Sequence, residues 1–170
     1  MRQLKKLEVK KLSKEFKREK EIYLILENIQ YATNVASIFR TADAAGVRRV
    51  YLTGISQKPP FGKDLQKTSR HKEDFVEWVY KDTSGEVIQT LKKLGFTIIS
   101  IELTDEAVNL NDMKNKLQNV DKVAFVAGSE VYGVTKNTLE KSDLSVYIPM
   151  YGKGASVNVS TAVGIVLFSF

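Results

Sequence analysis

Cysteine is absent from this 170-residue chain, and histidine occurs once, at His71. Without cysteine there is no disulfide framework, no thiolate nucleophile and no zinc–thiolate site. A single histidine excludes a multi-histidine metal site. His71 lies in a Lys- and Arg-rich stretch, which is more typical of a surface residue than of the base of a catalytic triad. Long apolar runs are also lacking, since no segment approaches the roughly 18 residues that span a membrane. The early apolar stretch 22–26 is too short for the core of a signal peptide. We therefore expect a soluble, cytoplasmic protein without a metal site.

The basic charge is concentrated at the N-terminus. The chain carries a net charge of +6, and residues 1–20 hold nine Lys or Arg against three Asp or Glu, which accounts for the whole excess. A local basic block attracts polyanions through phosphate contacts and counterion release. The pattern fits either a nucleic-acid contact or a solvated helix face that aids solubility.

The order of the elements predicts an α/β fold. Residues 4–20 are predicted to form a basic helix with an imperfect apolar stripe, and strands and helices then alternate to the end of the chain. Several strands, such as 96–103 and Lys122–Ala127, are continuous apolar runs, as is typical of parallel strands covered on both faces. We predict a mostly parallel sheet flanked by helices on both faces, with residues 1–20 as a basic N-terminal helix and 21–170 as one domain.

Three polar or glycine-rich loops follow predicted strands in the last third of the chain, at 104–106, 128–133 and 150–156. Ligands of open parallel sheets bind beyond the carboxyl ends of the strands. Glycine lets a backbone approach a ligand closely. Any one of these loops is explained by a simple turn, but three at successive strand ends indicate a pocket. Neither a Walker A pattern nor a G-x-G-x-x-G after the first strand is present, which disfavours a P-loop or dinucleotide site.

Three stretches of the sequence resemble the motifs of a known family. Residues 34–47 (NVASIFRTADAAGV) are similar to the first motif of the SpoU (TrmH) family of RNA ribose 2′-O-methyltransferases, with its Asn, its Arg six residues later, and then Thr-Ala-Asp and Gly-Val. Residues 126–133 (VAGSEVYG) resemble the second motif, and 148–150 with 156–160 (IPM and SVNVS) resemble the third. Order and spacing agree across all three motifs, which together extend from about residue 22 to the end of the chain.

The sequence departs from the family pattern at a few positions. Ala36 stands where the family usually has glycine, and Val157 stands where it usually has leucine. Residues 67–69 (KTS) match a further family segment, but Arg70-His71-Lys72 does not continue it with the usual Gly-Ala.

The resemblance implies a fold, a reaction and partners. The fold is an α/β sheet with a C-terminal trefoil knot, the cofactor is S-adenosylmethionine, and the chain forms a homodimer through the knot region, with each site built from both chains. The substrate is the ribose 2′-hydroxyl of an RNA, with transfer RNA favoured over ribosomal RNA because no large separate RNA-binding domain is present. The alternatives are a non-catalytic RNA-binding protein with the same fold and a small-molecule α/β enzyme.

The resemblance also assigns residue roles. Arg40 is the central catalytic residue, acting either as the base or, because a guanidinium stays protonated, as a stabiliser of the developing alkoxide. The alternative is that Arg40 has no catalytic role and forms a surface ion pair with Asp43. Asn34 caps its helix or contacts RNA, and Glu130 orients Arg40 or the partner chain. Ser156 and Asn158 are polar groups beside the pocket, although Asn158 could equally cap the last helix. The implied adenosine pocket uses the backbone of Leu103, Thr104, Ala127, Gly128, Ile148, Met150 and Val157.

Overall fold

A computed structural model of the chain describes residues 1–16 and 19–170. The strands within these residues are β1 (Glu21–Glu27), β2 (Arg49–Thr53), β3 (Glu77–Lys81), β4 (Thr97–Ile101), β5 (Val108–Asn109), β6 (Lys122–Ala127) and β7 (Leu144–Tyr147). The α-helices are α1 (Lys6–Glu15), α2 (Ala32–Ala44), α3 (Lys63–Ser69), α4 (Ser84–Lys93), α5 (Leu110–Lys116), α6 (Lys136–Leu139) and α7 (Val159–Ser169), and a 3₁₀ turn covers Lys72–Asp74.

The strands form one sheet in the order β3-β2-β1-β6-β4-β7-β5, and each pairing within it is parallel. The prediction of a mostly parallel sheet is therefore confirmed. The chain places β6 between β1 and β4, and β7 beside β4. As a result, the carboxyl ends of β6, β4 and β7 are neighbours, and the three loops singled out in the sequence leave the sheet side by side.

Side chains of the central strands alternate between two cores. Ile22, Leu24 and Leu26 of β1 point into a core shared with α2, α5 and α7, whereas Tyr23 and Ile25 point into a second core shared with α4. All five are buried, because a central strand in a doubly covered sheet contacts helices on each side. The prediction of helices on both faces of the sheet is also confirmed.

Helix α1 is shorter than the predicted helix 4–20. It ends at Glu15, and Phe16 has an extended backbone, while residues 17 and 18 lie outside the described residues. Its start is stabilised locally, because the Glu8 carboxylate accepts hydrogen bonds from the backbone N–H of Lys5 at 2.7 Å and from the Arg2 guanidinium at 2.7 Å. Leu7 and Phe16 are 75% and 74% exposed, so the apolar stripe of this segment is solvated in the described structure.

Lys20, in the basic block, is bound to the body of the protein. Its ammonium group donates to the carbonyl oxygens of Leu117 at 2.8 Å and Val120 at 2.6 Å. Both residues lie in the loop that follows α5. In the described part of the chain, no helix combines the length and apolar character needed to cross a bilayer.

Candidate functional site

A cavity of about 800 Å³ opens at the carboxyl ends of β4, β6 and β7. All three loops predicted to form a pocket contribute to its walls or to their support. Of the predicted adenosine-pocket residues, the cavity is lined by Leu103, Ala127, Gly128, Ile148, Met150 and Val157. Thr104 is not among the lining residues, and its hydroxyl oxygen lies 2.6 Å from that of Ser145. Six of the seven predicted adenosine-pocket residues therefore line the cavity, and Thr104 ties the first loop to β7.

The loop 128–133 has a conformation that only glycine permits at two positions. Ser129 and Gly133 exchange backbone hydrogen bonds of 3.0 and 2.8 Å, which closes the loop on itself. A Cβ atom added to Gly128 would lie 2.2 Å from the carbonyl carbon of Gly133. Gly133 has a φ of +67°, and a Cβ atom there would lie 2.2 Å from a carboxylate oxygen of Glu102. The close approach of the two sides of this loop therefore depends on both glycines.

Glu102 was missed by the sequence reasoning and fixes the first loop to the second. Its carboxylate accepts hydrogen bonds from the backbone N–H of Val134 at 2.9 Å and of Leu103 at 3.0 Å. Glu102 also lines the cavity. The available signal was a carboxylate near the end of the otherwise apolar predicted strand 96–103.

A chain of side-chain hydrogen bonds links Glu130, Asn34 and Asn158. The Asn34 amide donates to Glu130 at 2.6 Å, and the Asn34 side-chain oxygen accepts a hydrogen bond of 3.0 Å from the Asn158 amide. The Asn158 oxygen in turn accepts from the backbone N–H groups of Ser160 at 2.9 Å and Thr161 at 3.4 Å. These three residues come from three different motifs, and all three line the cavity.

At each end of this series of hydrogen bonds, a side-chain oxygen accepts from backbone N–H groups at or near the start of a helix. Asn158 is the N-cap of α7, as one of its two predicted roles required. Asn34 is not the N-cap of α2, because that helix begins at Ala32 and its N-cap is Tyr31, so the capping alternative for Asn34 was wrong. Glu130 instead accepts from the backbone N–H groups of Gln30 at 2.8 Å and Tyr31 at 3.2 Å.

The hydrogen bonds keep Glu130 ionised. Partial burial disfavours its charge, but the donors from Asn34, Gln30 and Tyr31 outweigh that effect and hold the pKa of Glu130 below its ordinary value. The carboxylate also lies at the positive end of the α2 dipole. The predicted role of Glu130, to orient Arg40 or a partner chain, is not visible within this chain, where Glu130 orients Asn34 and the start of α2.

Ser156 lies in the wall of the same cavity, so the fold brings four of the five predicted catalytic residues together. Their side chains are uncharged apart from Glu130. None of the described residues that line the cavity is Lys or Arg, and the carboxylates of Glu102 and Glu130 give it a negative charge.

Arg40 is the predicted catalytic residue that the fold places elsewhere. It is exposed on α2 and is not among the residues that line the cavity of its own chain. The alternative pair with Asp43 is not formed, because Asp43 binds the ammonium group of Lys72 at 2.7 Å. Within the described residues, the Arg40 guanidinium has neither an ion pair nor a hydrogen bond, so it is available to a group from outside the chain.

Comparisons with known proteins agree with these observations. A model of the SpoU rRNA Methylase family matches residues 21–168. The chain is 32% identical over 152 residues to a tRNA (guanosine(18)-2′-O)-methyltransferase of Aquifex aeolicus, spanning 89% of this chain and 69% of that protein. It is also 26% identical to the protein of the same name from Escherichia coli, and the match covers 63% of that protein's length.

Solved structures have the same fold. The crystal structure of the Aquifex aeolicus TrmH/SpoU tRNA modifying enzyme aligns with a TM-score of 0.77 at 28% identity, covering 96% of this chain and 82% of that one. The AdoMet-bound rRNA methyltransferase of Sinorhizobium meliloti aligns with a TM-score of 0.79 at 24% identity, covering 89% and 56%, and this likeness concerns the fold alone. With the family match across 21–168 and the three motifs assembled around one cavity, the chain belongs to the SpoU rRNA Methylase family.

Proposed function

We propose that the protein transfers a methyl group from S-adenosylmethionine to a ribose 2′-hydroxyl of transfer RNA. The observation that carries this proposal is the cavity at the carboxyl ends of β4, β6 and β7, in which residues of all three motifs meet. The relatives that are named tRNA (guanosine(18)-2′-O)-methyltransferases support transfer RNA as the substrate class.

The cavity residues fit S-adenosylmethionine. Small and apolar side chains form much of the wall, including Ile101, Ala127, Ile148 and Val157, which suits an adenine ring held by main-chain hydrogen bonds. The carboxylates of Glu102 and Glu130, with no cationic side chain in the wall, favour a ligand that carries a positive sulfonium. When bound, this group supplies an electrophilic methyl.

The residues of the chain then have distinct tasks. Ser156 and the amides of Asn34 and Asn158 are hydrogen-bonding groups that orient a ribose beside the cavity. Glu130 holds Asn34 in place through the 2.6 Å bond. Arg40 stays protonated, so its task is to stabilise the negative charge that develops on the ribose oxygen and to hold a phosphate of the RNA.

A homodimer completes the site in this proposal. Arg40 is not among the residues that line the cavity of its own chain, and in this proposal a second copy supplies it. Exposed apolar side chains surround the cavity and the last helix, and they provide a surface for that copy: Leu103 (70% exposed), Val131 (62%), Tyr132 (87%) and Phe168 (63%).

A C-terminal trefoil knot is the remaining part of the proposal. It is supported by the likeness to solved SpoU structures and by the way in which the segments 128–133 and 155–159 line one cavity. In this arrangement the knot holds the cofactor loops in a fixed relative position.

The test begins with calorimetric titration of the purified protein with S-adenosylmethionine. In the same preparation, transfer of a tritiated methyl group is measured with bulk transfer RNA and with ribosomal RNA. We expect binding and label in transfer RNA, and we expect Arg40→Ala to keep the binding and lose the transfer. Label in ribosomal RNA alone would mean that the substrate is ribosomal RNA rather than transfer RNA. If S-adenosylmethionine does not bind, a non-catalytic RNA-binding protein is favoured.

A further inference from the structure

The turn between α3 and β3 has a backbone that is unusual for its sequence. Arg70 and His71 follow each other in the left-handed region, with φ values of 53° and 57°, although neither is glycine. Such conformations are sparsely populated by residues with a Cβ atom, and they cluster at functional sites. Hydrogen bonds fix the turn, because the backbone N–H of His71 donates to the Ser69 hydroxyl at 3.2 Å and that of Asp74 to the His71 carbonyl at 3.3 Å.

A second costly feature lies in the same turn. Glu73 is buried, and within the described structure neither of its carboxylate oxygens has a hydrogen-bond partner. Buried polar groups without partners are rare in native proteins. The segment therefore combines two energetically costly features, and the side chains of Arg70 and His71 are exposed to solvent.

The exposed face of this turn carries an aromatic ring. Phe75 is 74% exposed, and the ammonium group of Lys72 lies 5.3 Å from the centre of its ring. The same ammonium group binds Asp43 on α2 at 2.7 Å. Asp43 lies one helical turn after Arg40, so the Phe75 ring is on the surface that borders Arg40.

The cations of this surface differ in their availability. Lys67 and Lys72 are paired with Asp64 and Asp43, at 3.0 and 2.7 Å, and His71 lies 3.8 Å from Asp74. Arg40 and Arg70 have no acidic partner in the described part of the chain. An exposed aromatic ring on a surface that also carries unpaired guanidinium groups can bind an unpaired nucleobase by stacking and its flanking phosphates by charge.

We infer that Arg70 and Phe75 form an RNA-contact surface that places the substrate beside Arg40, with an unstacked base on the Phe75 ring and a phosphate on Arg70. This inference rests on the proposed function, because it concerns the RNA of the same site. It also gives a role to the position at which Arg70-His71-Lys72 replaces the Gly-Ala usual in the family.

The experiment measures the affinity of the full chain for unfractionated transfer RNA as a function of salt, with Phe75→Ala, Phe75→Trp and Arg70→Ala. Loss of one stacked base typically weakens binding by about ten-fold, so we expect this for Phe75→Ala and recovery with Phe75→Trp. Arg70→Ala should reduce the slope of log K against log salt by about one. For both Ala variants, the KM for RNA rises, while kcat at saturating RNA and the affinity for S-adenosylmethionine are unchanged.

Matched controls lie at the C-terminal end of α4, on the opposite face of the sheet. Leu94→Ala truncates an apolar side chain that is 55% exposed, and Lys93→Ala removes an exposed cation. If the wild type methylates transfer RNA but the Phe75 and Arg70 variants behave like these controls, this inference alone is overturned. A lower light-scattering mass for Phe75→Ala would also overturn it, in favour of a contact between chains. A wild type that binds no RNA would overturn the proposed function as well.

Discussion

Glu130 combines a structural and an electrostatic role at a single position. Its carboxylate accepts hydrogen bonds from the Asn34 amide and from the backbone N–H groups of Gln30 and Tyr31. An amide at this position would turn an NH₂ group toward at least one of these donors. One residue therefore determines where α2 begins and how Asn34 is presented to the cavity.

Glu130→Gln should lower the free energy of unfolding by about 0.5–1.5 kcal/mol at neutral pH, the typical net contribution of a hydrogen bond, because the donors at Gln30 and Tyr31 are exposed to solvent. The folded state holds the pKa of Glu130 below its ordinary value of 4.5, so this stabilisation is complete above that pH and is lost as the pH falls through the folded value. The difference between wild type and variant should therefore shrink below about pH 4.5.

Urea denaturation from pH 3.5 to pH 7 measures this difference, with Glu106→Gln as an exposed control that should change stability by less than about 0.5 kcal/mol. A difference that stays constant down to pH 3.5 would contradict the ionised role of Glu130.

At the scale of elements, the glycine loop that follows β6 sets the shape of the cavity. Gly128→Ala places a methyl group 2.2 Å from the backbone of Gly133, so the loop must open. Overpacking of this kind typically costs about 1–3 kcal/mol. We expect the variant to stay folded but to lose affinity for S-adenosylmethionine by more than about ten-fold, as measured by calorimetry.

Gly154→Ala is the control, since its nearest neighbour would lie 4.0 Å from the new Cβ atom. Equal loss of affinity in both variants would show that any added methyl group in these loops disturbs binding, rather than the contact between Gly128 and Gly133.

Two N-cap residues allow helix stability to be separated from the site. Asn158 caps α7 and also donates to Asn34, whereas Thr83 caps α4 by accepting from the backbone N–H of Glu86 at 3.4 Å and is not among the residues that line this cavity. Replacing either cap with alanine should cost about 0.5–2 kcal/mol in unfolding free energy. Only Asn158→Ala should also weaken cofactor binding and methyl transfer, and a similar loss of transfer in Thr83→Ala would contradict the role of the hydrogen bonds that link Glu130, Asn34 and Asn158.

The elements were predictable from sequence where their pattern is local. The strand β6 has the predicted bounds Lys122–Ala127 because it is an uninterrupted run of strand-forming residues. The two-residue strand β5 was missed because its pairing with β7 has no local pattern. The bond between Asn34 and Glu130 joins residues 96 positions apart and depends on β6 lying beside β1. The motif resemblance identified these residues together as candidates for the site, but the order of the strands in the sheet determines which of their atoms come into contact.

At the scale of the whole molecule, the position of Arg40 separates the site into two parts. The cavity is lined by residues of one chain, and Arg40 is exposed on α2 and is not among them. If a second copy supplies the guanidinium, a defect in the cavity and a defect at Arg40 fall in different sites of a mixed dimer. One of its two sites then combines an intact cavity with an intact Arg40.

Co-expression of an Arg40→Ala chain and a Gly128→Ala chain, purified through two different tags, tests this directly. Each variant alone should transfer little or no methyl group to transfer RNA, because every site lacks either the guanidinium or the cavity. The mixed dimer should regain a substantial part of the wild-type rate, since one site is whole. A mixed preparation as inactive as its parents, with a dimeric mass by light scattering, would mean that Arg40 acts within its own chain. In that case α2 would have to rotate to bring the guanidinium to the cavity.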